Sequence, residues 1–150
     1  MRTVLAAACI LALGAGPAWA QSVPGWRYAY ESGAAVATHT DDEGDVVATI
    51  SCRPPDGVMV LTDHKFGRRA RGADVVAVRI GQMSINVPAR TEGRGGNARL
   101  LIDLPQRPPV LAGVQPDDAL SVTVGDVTHS YGRGSGRQME EVAYACWAGQ

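Results

Sequence analysis

The chain has 150 residues, with 14 lysines and arginines against 15 aspartates and glutamates and a formal net charge of −1. A charge so close to balance carries no electrostatic footprint of nucleic-acid binding. At this length one domain with a core of its own is expected.

The first twenty residues read as a leader. Arg2 is followed by an uncharged apolar run at residues 4–15, too short to span a bilayer comfortably, then by the helix breakers Gly16 and Pro17. Ala18-Trp19-Ala20 completes the small-x-small pattern of a secretory signal peptide cut before Gln21. A lipid anchor on Cys9 is disfavoured, because only residues 4–7 would form an apolar segment ahead of its small neighbour Ala8. Cleavage would leave residues 21–150 as a single exported domain of 130 residues, with no second apolar run of membrane-spanning length. Lys65 is its only lysine, against 12 arginines, a bias expected of a GC-rich bacterial genome. Together with the leader this points to a periplasmic or secreted bacterial protein.

Two cysteines then remain, Cys52 and Cys146, 94 positions apart. They are not arranged as C-x-x-C, and an oxidising compartment favours a structural bridge over a redox site. Closing so long a loop would contribute at most about 4–5 kcal/mol in the chain-entropy picture.

Period-two runs dominate the mature chain. Residues 26–30 alternate large apolar residues with others and predict a strand, and residues 35–40 a second, less typical one because alanine is a weak β-former. After the turn Thr40-Asp41-Asp42-Glu43-Gly44-Asp45, residues 46–52 form a β-branched strand ending in Cys52. Arg53-Pro54-Pro55-Asp56-Gly57 cannot continue a ladder, so residues 58–62 should pair back as a hairpin. Residues 64–73 read as a basic, mobile loop. Strands are predicted at 74–80 and at 83–87, the latter ended by Pro88, then a glycine-rich turn at 91–97 and a strand at 98–103. Four prolines between residues 105 and 116 suggest an irregular crossover with a short helical turn at 110–112. Residues 119–124 and 127–131 make a last hairpin.

One helix closes the chain. Ser135-Gly136-Arg137-Gln138 matches a capping box, and Glu140 and Glu141 lie near the N-terminal end where the helix dipole favours acids. Met139, Val142, Ala143 and Cys146 fall at i, i+3, i+4 and i+7, a single buried stripe that would aim Cys146 at Cys52. The expected body is mostly β: a small antiparallel β-sandwich or barrel with one C-terminal helix, stapled by one disulfide.

This layout resembles small exported accessory proteins of the type VI secretion TagO/VasI kind. The resemblance rests on a Trp-bearing first strand (Trp26), a strand-end cysteine followed by a hairpin (Cys52), the strand Val76-Ala77-Val78-Arg79-Ile80-Gly81, and the C-terminal Cys146. Ser51 stands where such proteins tend to carry arginine. The resemblance implies the fold and an accessory role.

The segment His64-Lys65-Phe66-Gly67-Arg68-Arg69-Ala70-Arg71 places Lys65, Arg68, Arg69 and Arg71 around Phe66, with no acid between Asp63 and Asp74. Such a cluster suits phosphate or carboxylate groups of a protein or an anionic envelope component. The acidic turn at residues 41–45 lacks EF-hand spacing and is a turn, though its charge could pair with the basic loop. His39, His64 and His129 stand in no metal-binding spacing, so no metal or cofactor is expected. Gly134-Ser135-Gly136 is no nucleophile elbow, and His129 and Ser130 should point to opposite faces of a strand. The expectation is therefore a non-enzymatic binding or accessory protein of the bacterial envelope, acting through Lys65, Phe66, Arg68, Arg69 and Arg71. The alternatives are a small periplasmic hydrolase or metal-dependent enzyme using the histidines, or an inhibitor of a lysozyme or protease.

Overall fold

A computed structural model describes residues 24–53, 57–104 and 113–147. The leader, residues 54–56 of the first hairpin turn and the helical turn expected at 110–112 lie outside the described residues. Nine strands are described: β1 (Gly25–Glu31), β2 (Ala34–Thr40), β3 (Val46–Cys52), β4 (Met59–Asp63), β5 (Val75–Ile80), β6 (Met83–Glu92), β7 (Arg99–Leu104), β8 (Leu120–Val124) and β9 (Val127–Ser130). The helix α1 spans Ser135–Trp147. All neighbours are antiparallel, in the order β1-β2-β3-β4-β7-β6-β5-β8-β9. The mostly β body with one terminal helix is as expected.

The strand expected to stop at Pro88 does not stop there. Residues up to Pro88 pair with β5, where Pro88 faces Val75, and from Ala89 the same strand pairs with β7. A missing proline N–H does least damage where a strand changes partners. Through this shared strand the sheet curls until its two ends meet. β1 and β9 form no ladder, but the Trp26 indole N–H donates to the Tyr131 carbonyl at 2.8 Å.

Register explains where the helix sits. Period-two alternation gives one concave face, on which Tyr28, Ala37, Ile50, Leu61 and Ile102 lie in one cross-strand row. The three alanines of the inner face, Ala35, Ala37 and Ala48, are fully buried. Weak β-formers by themselves, they matter for packing: small side chains let α1 approach β1, β2 and β3. From the other side Met139, Val142, Ala143 and Cys146 are all buried, as the helical stripe requires. Fully buried Ile50, Leu61, Leu100 and Ile102 contribute about 1.5–3 kcal/mol each.

At the far end of the helix Cys146 meets Cys52 at disulfide distance, with the Cα atoms 5.7 Å apart. Gly57 is needed beside them, since a Cβ there would stand 2.7 Å from the Cys146 sulfur. At the near end the capping box is not formed. The helix starts at Ser135, so Gly134 supplies the first accepting carbonyl, to the Gln138 amide. The Ser135 hydroxyl instead donates to the Gly132 carbonyl and accepts from the Trp26 indole. The Gly136 and Arg137 amides are taken by the carbonyls of Asp118 and Pro116. A Cβ at Gly136 would come within 2.0 Å of the Gln115 carbonyl oxygen, so this docking needs glycine. The amides of Gly136, Arg137 and Gln138 at the start of the helix are thus all taken by carbonyls of the protein.

Candidate functional site

The strand β4 ends in Asp63, which shares its inward face with Met59 and Leu61 and is completely buried. A buried carboxylate is costly unless its oxygens are filled. Here Oδ1 accepts the backbone amides of Lys65 at 2.6 Å and Phe66 at 2.7 Å, and Oδ2 accepts the Tyr131 hydroxyl and His129 Nδ1, the latter at 2.9 Å. Four donors on one carboxylate join β4, the segment after it, and the β9–α1 end of the chain. Burial first, and then the adjacent Asp63 charge, push the Tyr131 phenol well above its usual range, so it stays a donor.

That carboxylate is what shapes the basic segment. With its first two amides fixed on Asp63, the chain turns into a 3₁₀ helix at Gly67–Ala70. Phe66 and Ala70 point into the core, and the Thr91 hydroxyl donates to the Ala70 carbonyl at 2.9 Å. The segment is therefore a tethered turn, and the mobile loop expected from its composition is corrected. Phe66 is also corrected as a contact residue. It is 1% exposed and stacks on the His129 ring with 3.9 Å between centroids. Its apolar ring is worth more in the core than beside the arginines.

The cations of the segment divide. Lys65 reaches back to the acidic turn, 3.0 Å from Asp41 and 3.5 Å from Asp45. Its hydrogen bond to Asp41 raises the Lys65 pKa and lowers that of Asp41. Arg68, Arg69 and Arg71 are exposed and form no ion pair among the described residues. By contrast Arg90 is held by Asp103 at 2.6 Å, and Arg99 by Glu92 at 3.5 Å.

Behind the turn lies a cleft of about 350 Å³ lined in part by His39, Lys65, His129 and Tyr131. His39 packs edge-on against Trp26 at 5.1 Å and Tyr131 at 6.3 Å. Burial lowers its pKa against the pull of Asp41, and its Nδ1 is buried without a hydrogen-bond partner. His129 is held through Nδ1 by Asp63, which leaves Nε2 as the nitrogen free for an outside partner. An oriented imidazole of this kind can accept or donate a proton. His64 stands apart, beside Arg99 and the turn at 93–98, and its pKa is lowered chiefly by burial. Among the described residues no three His, Cys, Asp or Glu side chains converge as a metal site.

Comparison with protein-family models, with curated proteins and with solved structures finds no match for this chain.

Proximity along the chain sets His129 beside Asp126 and Ser130, and it misses Asp63 and Tyr131. Two signals in the sequence point to the pair. His129 and Tyr131 are two apart and so share a strand face, and Asp63 continues the inward positions of an apolar strand, where an acid must find partners.

Proposed function

We propose that the protein is a non-enzymatic binding or accessory protein of the bacterial envelope, exported by its N-terminal leader. It contacts phosphate or carboxylate groups of its partner through Arg68, Arg69 and Arg71. The observation that carries this reading is a division of labour within one short segment. The carboxylate of Asp63 and the buried Phe66 and Ala70 tether the turn, Lys65 is ion-paired with the acidic turn, and three guanidinium groups stay exposed with no ion pair among the described residues. Arginine on a tethered turn offers planar, bidentate donors with less ordering left to do on binding. The resemblance in layout to small exported accessory proteins agrees with that role.

The test is cross-linked capture from envelope extract by the purified protein, beside a variant carrying Arg68→Glu, Arg69→Glu and Arg71→Glu. One stoichiometric species held by the native protein, lost from the variant and released by salt, is the expected result. Equal capture by both, or none by either, would overturn it.

A second reading rests on the oriented His129. The imidazole fixed by buried Asp63 beside a cleft is an arrangement suited to general acid–base work in a small hydrolase. It requires hydrolase activity that His129→Gln abolishes while the triple arginine variant retains it.

A further inference from the structure

Of the three exposed tyrosines among the described residues, two share one groove and Tyr30 lies outside it. Tyr28 on β1 and Tyr144 on α1 are 38% and 74% exposed, and both line a groove of about 560 Å³. The groove is completed by Pro116, Arg137, Glu140 and Glu141. Arg137, Glu140, Glu141 and Tyr144 stand at i, i+3, i+4 and i+7, the helical stripe opposite the buried one. The wall of the groove is thus the whole outward face of α1, and its other side is the edge strand β1. Arg137, Glu140 and Glu141 form no ion pair among the described residues.

We propose that this groove binds a neutral oligosaccharide. A sugar ring has an apolar C–H face and a rim of hydroxyls. Tyrosine rings offer the matching apolar face with a polar tip. Two carboxylates accept from neighbouring hydroxyls and a guanidinium donates to ring or hydroxyl oxygens, the few convergent polar groups an aromatic-walled ligand site needs. Charge decides against other occupants. One arginine and two glutamates give the lining a net negative charge, which repels the phosphates and carboxylates that the Arg68–Arg71 turn would attract. A protein partner would have to bury two unpaired carboxylates, and glutamate is depleted at interface cores. Glu140 and Glu141 lie side by side on one wall of the groove, so they do not stand on opposite sides of a bound bond as the carboxylate pair of a glycosidase does. Binding without cleavage is the expectation, independent of the proposed arginine contact.

The test is titration of the purified protein with chitotetraose, cellotetraose and maltotetraose, monitored by NMR shifts and calorimetry. At least one sugar should shift the signals of Tyr28, Arg137, Glu140 and Tyr144, and remain uncleaved. Tyr144→Ala, at a site too exposed to affect folding, should weaken binding about tenfold or more, and Glu141→Gln by a smaller factor. The charge reversal at Arg68, Arg69 and Arg71 should leave it unchanged. The proposal fails if no sugar shifts these residues or if Tyr144→Ala binds as well as the native protein. It also fails if the groove instead mediates concentration-dependent self-association that Tyr144→Ala abolishes.

Discussion

At its C-terminal end α1 is joined to the sheet by the contact of Cys146 with Cys52, whereas its N-terminal end is held by packing and by hydrogen bonds, with no covalent link. There Trp26 spans from β1 to Tyr131 and Ser135, and Tyr131 in turn donates to Asp63. Among the described residues the disulfide itself is surrounded by buried apolar side chains and the Gly57 carbonyl. At the polar end the clasp that closes the curled sheet also fixes the first amides of the arginine turn and orients His129. A covalent staple constrains the unfolded chain at any pH, while a buried carboxylate holds only while its donors are all in place. The difference teaches where function is to be sought: beside the clasp, whose atoms serve the fold and the surface together.

The comparison can be broken first at Asp63. Asp63→Ala leaves two amides, a phenol and an imidazole without their acceptor, and should cost about 3–5 kcal/mol in urea unfolding. Replacing both Cys52 and Cys146 with alanine should cost less, about 2–4 kcal/mol, and leave the arginine turn in place. Tyr131→Phe removes one donor and keeps the ring, and should cost about 1–2 kcal/mol. A reversed order of Asp63→Ala and the double cysteine variant would show that the staple dominates.

Titration sharpens the same contrast at smaller amplitude. His39 and His64 both have pKa values lowered from 6.5, chiefly by burial. The unfolded chain therefore binds their protons more readily than the native one. Their contribution is complete above the unfolded value and is lost as pH falls through the folded values. The urea midpoint should drop between about pH 7 and about pH 5, and His39→Gln should flatten part of that drop. A midpoint that rises on acidification over this range would contradict the burial of both rings.

Much of the fold is legible in the sequence because its signals are local. Alternation marks the strands, the i, i+3, i+4, i+7 stripe marks α1, and Cys52 and Cys146, the two cysteines that follow the expected leader, allow a single pairing. The strand through Pro88 is not legible, because the change of partner that tolerates proline is a property of the sheet. Ser135 misleads for a similar reason: a hydroxyl suited to capping meets the indole of Trp26, 109 positions away. The site is half legible. Composition marks the basic segment, but its division into an ion-paired lysine, a buried phenylalanine and three exposed arginines depends on Asp63. That residue's partners at 129 and 131 come from the other end of the sheet.

The central claim is that Asp63 holds the arginine turn as a tethered contact surface, and amide hydrogen exchange across residues 65–73 tests it most directly. In the native protein the amides of Lys65, Phe66, Arg69, Arg71 and Ala73 all donate within the turn or to Asp63 and should be protected. In Asp63→Ala, which removes the acceptor, that protection should be lost, while residues 142–146 beside the disulfide keep theirs. A turn that exchanges as fast as free chain in the native protein, or one untouched by Asp63→Ala, would contradict the account.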